Sequence, residues 1–317
     1  MTREPAGVPV VVVVGPTASG KSALAVEVAL ALGGEVVNAD SMALYRGLEI
    51  ATATPTAAER RGVPHHLFGV LDPREEGSVA AYQVQARATV DGLVARGTPV
   101  VVVGGSGLHV RALLDDLVFP GTDAALRADL EAQAERLGTA ALHARLTQLD
   151  PAAAAALLPT NTRRIVRALE VIALTGRRFT ATLPVPGRAR WGAVQLGIDI
   201  ALPELDARIE RRVALMWQSG LVDEVATMAA SGLGRTAARA IGVASVLRLL
   251  AGEQTKEQAR AETAQATRRL VRRQRSWFSR DRRIRWLAAA DADQTALTRM
   301  ALAQVHPDAA QDDPAGL

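Results

Sequence analysis

The sequence predicts an α/β fold, a P-loop NTPase-like parallel-sheet core with a helical insertion domain and further helices towards the C-terminus. Three observations carry this. A β-branched run, a glycine-rich loop and a helix-forming run follow one another from Val10 to Leu32, and a second strand-like run comes directly after them. The order of strand, glycine loop and helix returns in "TPVVVVGGSGLHVRALLDDL". A long Ala/Leu/Arg-rich stretch with helical spacing and no strand then separates these units from the next strand-like run.

Val10 to Val14 is continuous and β-branched, the pattern of a parallel strand buried on both faces. Gly15 to Gly20 is a loop. Lys21 to Leu32 predicts a helix, which Gly33 and Gly34 end. Glu35 to Ala39 returns as a strand with Asp40 at its end, so the unit is βαβ and its crossover right-handed. Ala80 to Arg96 predicts a helix, and Pro99 to Val103 a strand ending in Gly104-Gly105-Ser106. From Gly121 to Thr180, segments such as "DAALRADLEAQAERL" predict helices interrupted at Pro151 and Pro159. A turn at Pro184 to Gly187 leads to "WGAVQLGIDI", a strand that rejoins the core. Helices are expected over Leu205 to Ser219, over Leu221 to Ala230, and in a long basic segment up to Ser279. After Leu287 the chain becomes acidic and predicts a fraying tail. The domains read as core 1–120, insertion 121–188, core 189–290 and a disordered acidic tail 291–317.

The chain has 317 residues, 49% of them hydrophobic, enough for one large core and against disorder of the whole chain. It has no cysteine, which excludes disulfides and thiolate metal sites and makes a reducing cytosol the simplest setting. The start "MTREPAGVP" lacks the apolar core of a signal peptide, and no apolar run approaches the roughly 20 residues of a membrane helix. A cytoplasmic protein without membrane contact is expected. No long apolar surface stripe stands out, so a monomer is the expected state. Charge is uneven. Between Thr267 and Trp286 nine arginines stand against one acid, Asp281, a local charge of +8 in a chain whose total is +4. Such a block is either a solvated helix face or the footprint of an anionic partner.

"GPTASGKS" matches G-x-x-x-x-G-K-[ST] in the strand–loop–helix context that the motif requires. Gly15, Pro16, Thr17, Ala18, Ser19, Gly20, Lys21 and Ser22 form a phosphate cradle. Its backbone N–H groups turn towards phosphate oxygens, Lys21 adds a point charge, and the Ser22 hydroxyl can ligate Mg²⁺. The motif leaves the ligand open between a nucleoside triphosphate and another diphosphate. A nucleotide hydrolase adds an acid at the end of a second hydrophobic strand, yet Pro99 to Val103 ends in glycines and serine. The acids at other ends are Asp40 and, more weakly, Asp72.

Ligands of parallel sheets sit at the carboxyl ends of the strands, so the phosphate loop, Asp40 and Gly104 to Ser106 are expected around one crevice. Asp40 and Ser41 read either as a helix N-cap or turn pair or as functional groups, with Asp40 a general base or a metal-water ligand facing the phosphates. Ser106 reads as a helix N-cap or as a hydroxyl facing substrate. Tyr45 and Arg46 offer stacking and charge, and His109 and Arg111 are placed to face the same way as Ser106. His65 and His66 are adjacent and diverge on a strand, a poor arrangement for one metal ion.

Taken in order, "GPTASGKS", "NADSMALYRGLEIATATP", "VPHHLFGVLDP", "VVVVGGSGLHVRALLDDL", "NTRRIVRALEVIALTGRRF" and "TRRLVRRQRSWF" resemble the tRNA dimethylallyltransferase family over most of the chain. The resemblance implies a Mg²⁺-dependent prenyltransferase. Its cradle would hold the diphosphate of dimethylallyl diphosphate, and the dimethylallyl group would pass to N6 of the adenosine 3′-adjacent to the tRNA anticodon. It implies Asp40 as the base, with Ser106 and Lys21 as the other catalytic groups. Ser106 stands where the family commonly has threonine. Contacts to the tRNA anticodon stem-loop would come from Asp40, Ser41, Met42, Ala43, Ser106, Arg127, Arg163, Arg164, Arg167, Arg239 and Gly242, and the C-terminal arginines would follow the RNA backbone. Ala43 replaces a frequent glutamine, His109 the usual tyrosine, and Val243, Ala244 and Ser245 stand where an aromatic and polar residues are usual. Two other classes compete. A P-loop kinase of a small metabolite explains the cradle but not the arginines. An RNA-binding NTPase explains the arginines but leaves Asp40 and Ser106 idle.

Overall fold

The computed structural model describes residues 7–179, 183–289 and 293–305. Strand β1 (Val10–Val14) runs into the phosphate loop and helix α1 (Lys21–Leu32), and β2 (Glu35–Asn38) follows. Two short helices, α2 (Glu49–Thr52) and α3 (Ala57–Arg60), precede the edge strand β3 (His65–His66). Helix α4 (Val79–Ala95) leads to β4 (Val100–Gly104) and α5 (Gly107–Leu114). Four helices follow without a strand: α6 (Ala124–Leu137), α7 (Thr139–Leu149), α8 (Pro151–Ala155) and α9 (Thr162–Thr175). The chain returns through β5 (Val194–Asp199), α10 (Leu202–Gln218), α11 (Leu221–Ser231), α12 (Arg235–Ala238), α13 (Val243–Leu250), α14 (Lys256–Phe278), β6 (Ile284–Ala288) and α15 (Gln294–Val305).

The six strands form one parallel sheet in the order β3-β2-β4-β1-β5-β6. The crossover from β1 to β2 skips over β4, while β5 pairs on the other side of β1. The strand order therefore reverses at β1, and its carboxyl end is where a crevice opens. The valine run of β1 serves both faces. Val11 and Val13 pack into one buried cluster with Leu24, Val28, Ile209 and Val271, and Val10, Val12 and Val14 into the opposite one with Tyr82, Val90 and Leu113. This period-two division of an all-apolar strand is what a sheet with helices on both faces requires.

By internal contacts the chain forms two compact units, Met1–Asp115 with Arg188–Leu317, and Asp116–Gly187. The second unit has its own core, built on Leu130, Leu142, Leu146, Ile165 and Leu169. Buried Glu170 fastens it. Its carboxylate accepts from Arg127 at 2.8 Å, from Arg167 at 2.8 Å and from the Asp123 N–H at 3.0 Å. Burial pushes this carboxyl up, but the arginine bonds and the N–H outweigh it and hold the group below its ordinary value.

The expectation of a fraying tail from 291 onwards fails for Gln294–Val305, which fold as α15. Leu297 and Ala301 are buried in the cluster of α1 and β5, because the acids of this tail lie outside Gln294–Val305 and leave the helix one apolar stripe. Residues 306–317 of that tail lie outside the described residues. Strand β6, unforeseen in the sequence, pairs with β5 and hides in an arginine-rich run because only Ile284 and Leu287 face inward.

Candidate active site

Helix α1 begins without a side-chain cap at Gly20, which lies at φ 89° in the left-handed region where glycine is at ease. Its first-turn N–H groups are therefore left for a ligand. Ala18, at φ 67°, adopts the same region without that freedom. Ser19 is buried, and its hydroxyl has no hydrogen-bond partner among the described residues.

A cavity of about 140 Å³ opens at this end of the sheet. Thr17, Lys21 and Ser22 form its phosphate-loop wall, and Asn38, Asp40, Met42 and Ala43 the wall from the end of β2. Val103 and Gly104 close the end of β4. Helix α10 supplies Arg212, Val213 and Met216, and α14 supplies Thr267 and Leu270. Residues Ala51 to Pro55, with Phe68, Ala240 and Ile241, complete the lining. One wall is cationic and another largely apolar. Asp40 is the one carboxylate among the lining residues.

The electrostatics follow from burial. Desolvation lowers Lys21 to about 8, with Asp40 resisting the shift and Arg212 adding to it. Desolvation also lowers Arg212 from its ordinary value, again against the pull of Asp40. Two cations thus share this site with one carboxylate, a charge balance that suits an anion.

The Asp40 carboxylate has two distinct oxygens. Oδ1 accepts the Met42 N–H at 3.0 Å, a turn contact. Oδ2 points towards the Gly105 loop. The Ser106 hydroxyl does not cap its own helix. Its Oγ accepts the Ser41 N–H at 2.9 Å and lies 3.1 Å from the Ser41 hydroxyl, to which it donates. Glycine is required between these groups: a Cβ at Gly104 would run into the Ala39 carbonyl, and one at Gly105 into the Gln274 amide.

Of the residues expected in the site, Thr17, Lys21, Ser22, Asp40, Met42 and Ala43 line the cavity. Gly15, Pro16, Ala18, Ser19 and Gly20 shape the loop, and Ser41 and Ser106 stand beside Asp40. Exposed Arg239 and buried Gly242 flank the lining pair Ala240 and Ile241. Arg127, Arg163, Arg164 and Arg167 belong to the other unit. Tyr45 offers no stacking face. It is buried, and its hydroxyl accepts the Gly77 N–H at 2.9 Å. Arg111 pairs with Asp115 at 2.6 Å, and Asp72 is a surface partner of Arg74. His109 is buried with its ring 4.6 Å from that of Tyr82, and desolvation lowers it to about 4. His65 and His66 diverge as expected, to the Val63 carbonyl and to Glu35.

Sequence reasoning missed three residues. Arg212 is one of many arginines, and only the fold turns it inward. Asn38 precedes the expected Asp40 by two positions. Gln274 is the one amide side chain inside the arginine block, which was the available signal.

The profile of the family described as IPP transferase matches residues 43–281. A tRNA dimethylallyltransferase of Streptomyces coelicolor is 56% identical over 307 residues, covering 96% of this chain and 98% of the relative. One from Salinispora arenicola is 59% identical over 283 residues, covering 89% and 82%. The crystal structure of a tRNA isopentenylpyrophosphate transferase from Bacillus halodurans superposes with a TM-score of 0.69 at 35% identity, over 96% of this chain and 99% of that one. A eukaryotic dimethylallyltransferase shares the fold, with a TM-score of 0.77 at 22% identity over 97% of this chain and 81% of that one. The chain belongs to the IPP transferase family.

Proposed function

We infer that this protein transfers the dimethylallyl group of dimethylallyl diphosphate to N6 of the adenosine 3′-adjacent to a tRNA anticodon, releasing diphosphate. The observation that carries the reading is one cavity that joins the cations Lys21 and Arg212, a lone carboxylate at Asp40 and an apolar wall. A diphosphate with a short hydrocarbon group matches both walls, and kinship with tRNA dimethylallyltransferases supports a tRNA as the acceptor.

In this reading Lys21, Arg212 and the first-turn N–H groups of α1 hold the diphosphate and stabilise the charge it gains as the C–O bond to the dimethylallyl carbon breaks. The N6 lone pair forms the new C–N bond, and Asp40 Oδ2 accepts the proton that N6 releases. Ser106, through Ser41, keeps the loop carrying Asp40 in place. Among the described residues no group of three or more histidines or carboxylates could hold a metal ion. The donors that remain, the Ser22 hydroxyl and phosphate oxygens, suit Mg²⁺, which keeps much of its water and favours substrate phosphates. When bound, Mg²⁺ screens the charge of the departing diphosphate. The adenosine leaves its stack to reach the cavity. Exposed arginines of α14 and of the helical unit follow the RNA backbone.

The test is a transfer assay with purified protein, Mg²⁺, labelled dimethylallyl diphosphate and unmodified tRNA, with ATP hydrolysis followed in parallel. Label in the tRNA without ATP loss is expected. ATP consumption without label would instead favour the kinase or the RNA-binding NTPase.

A further inference from the structure

Helix α14 carries exposed Arg269, Arg272 and Arg273 on one side and buried Val271, Gln274 and Phe278 on the other. Its N-terminus is fixed by a capping box between Thr255 and Gln258. Gln274 is 6% exposed, and its amide is engaged across long stretches of sequence. Oε1 accepts the Thr17 N–H at 2.8 Å, and Nε2 donates to the Gly105 carbonyl at 3.0 Å. Thr17 belongs to the phosphate loop, and Gly105 precedes Ser106. One amide therefore ties the arginine-bearing helix both to the loop that ends in Lys21 and to the loop beside Asp40. One turn further on, Trp277 lies so close over Gly107 that a Cβ there would overlap its indole nitrogen.

The chemistry proposed above uses neither contact, and a buried amide need not be there for packing alone, since an apolar residue would avoid its desolvation. The loop it holds is strained. Ala18, next to Thr17, lies at φ 67°, and such a conformation persists only where the surroundings over-determine it.

We propose that Gln274 is a positioning residue that couples RNA held on the arginine face of α14 to the grip of the phosphate loop on diphosphate. The proposal rests on α14 contacting RNA, as read above. RNA that fixes the helix fixes Gln274. Gln274 fixes Thr17 and Gly105, and the loop then meets diphosphate already shaped. The coupling is reciprocal, so diphosphate strengthens RNA binding by the same factor.

The experiment measures binding of inorganic diphosphate to the full chain by calorimetry, with and without a saturating anticodon stem-loop RNA. It compares wild type with Gln274→Ala and Gln274→Glu. The glutamate keeps an acceptor for the Thr17 N–H but sets a carboxylate oxygen against the Gly105 carbonyl. In the wild type, RNA is expected to tighten diphosphate binding about fivefold or more. Gln274→Ala should bring that ratio close to one, and Gln274→Glu should lower it part of the way, with RNA affinity alone within about twofold of wild type. A ratio retained in Gln274→Ala, or no RNA effect in a wild type that binds the RNA, overturns the proposal. Should Gln274→Ala unfold, the ratio in Gln274→Glu decides in the same way. Failure of the underlying reading is seen separately. Neutralising Arg269, Arg272 and Arg273 would then leave RNA affinity and its salt dependence unchanged, and the proposal would fall with it.

Discussion

The side-chain amide of Asn38 holds the peptide of Asp40 at both ends, accepting its N–H at 2.8 Å and donating to its carbonyl at 3.0 Å. The same nitrogen donates to the Leu67 carbonyl at 2.9 Å, and the Tyr82 hydroxyl donates to the Asn38 carbonyl at 2.9 Å. The base proposed for N6 thus stands on a buried, fully bonded support. Asn38→Ala removes three bonds and leaves the Leu67 carbonyl unpaired, at a cost of about 1–3 kcal/mol in stability. Its larger effect is expected on chemistry: a carboxylate displaced by even about 1 Å lowers kcat on the order of a hundredfold. Binding of inorganic diphosphate should be unchanged. Single-turnover transfer measured beside diphosphate affinity checks this, and equal losses in both would assign Asn38 to the cradle instead.

Lys21 titrates where two measurements move in opposite directions. Its folded value of about 8 lies below the ordinary 10.5, so between these values the folded, ligand-free chain binds fewer protons than the unfolded chain. The cost of burying the ammonium is present in full below pH 8, and stability rises as pH climbs through that window. Affinity for dimethylallyl diphosphate falls over the same window, by up to about tenfold per pH unit, because the neutral amine has lost its charge. Lys21→Arg keeps the charge and should flatten both profiles. Calorimetric affinity and thermal melting at pH 7 to 10 provide the check. An affinity that does not respond to pH would remove Lys21 from the cradle.

Much of this centre was legible in the sequence because its parts lie close together along the chain. The loop and Asp40 each follow a strand whose valines declare it buried. The support behind them was not legible, since it depends on which strands become neighbours. Asn38 meets Leu67 only because β2 pairs with β3, and Gln274 meets Thr17 across 257 positions of chain. Ser106 had two readings on sequence, cap or site. The structure removes the cap reading, because the hydroxyl meets Ser41 across the crevice and not its own helix. The arginine block mixed two populations in one run. Arg283 pairs with Asp115 and Asp281, and Arg268 pairs with Glu210, whereas Arg269, Arg272 and Arg273 face outward.

The burial of His109 gives it a distinct pH signature. The folded value of about 4 lies below the ordinary 6.5. The neutral ring is stable in the fold above pH 6.5. As pH falls from 6.5 to 4 the unfolded chain gains a proton that the folded chain refuses, and up to roughly 3 kcal/mol of stability is lost. His109→Phe keeps a ring against Tyr82 without the titration. Its melting temperature should decline less steeply than that of the wild type over this interval. His65, also lowered by burial, acts in the same direction in both proteins, so the difference between them isolates His109.

The helical unit separates arginines engaged in its own fold from those left exposed. Arg127 and Arg167 share buried Glu170, and Arg167 also donates to the Pro120 carbonyl at 2.7 Å and the Gly121 carbonyl at 3.0 Å. Arg163, on the same helix α9, is exposed. Arg127→Ala leaves a buried carboxylate with one cation fewer. Because Arg167 remains and both arginines are partly solvated, the expected loss is about 2 kcal/mol, below the figure for a fully buried pair. Arg163→Ala should leave melting unchanged. If Arg163 meets a phosphate, it should lower the slope of log affinity for tRNA against log salt by about 0.7 to 0.9. Measuring both variants by thermal melting and by salt-titrated tRNA binding distinguishes the roles. A stable Arg127→Ala with a reduced salt slope would mean that RNA draws Arg127 away from Glu170, and that Arg167 alone is sufficient to hold the carboxylate.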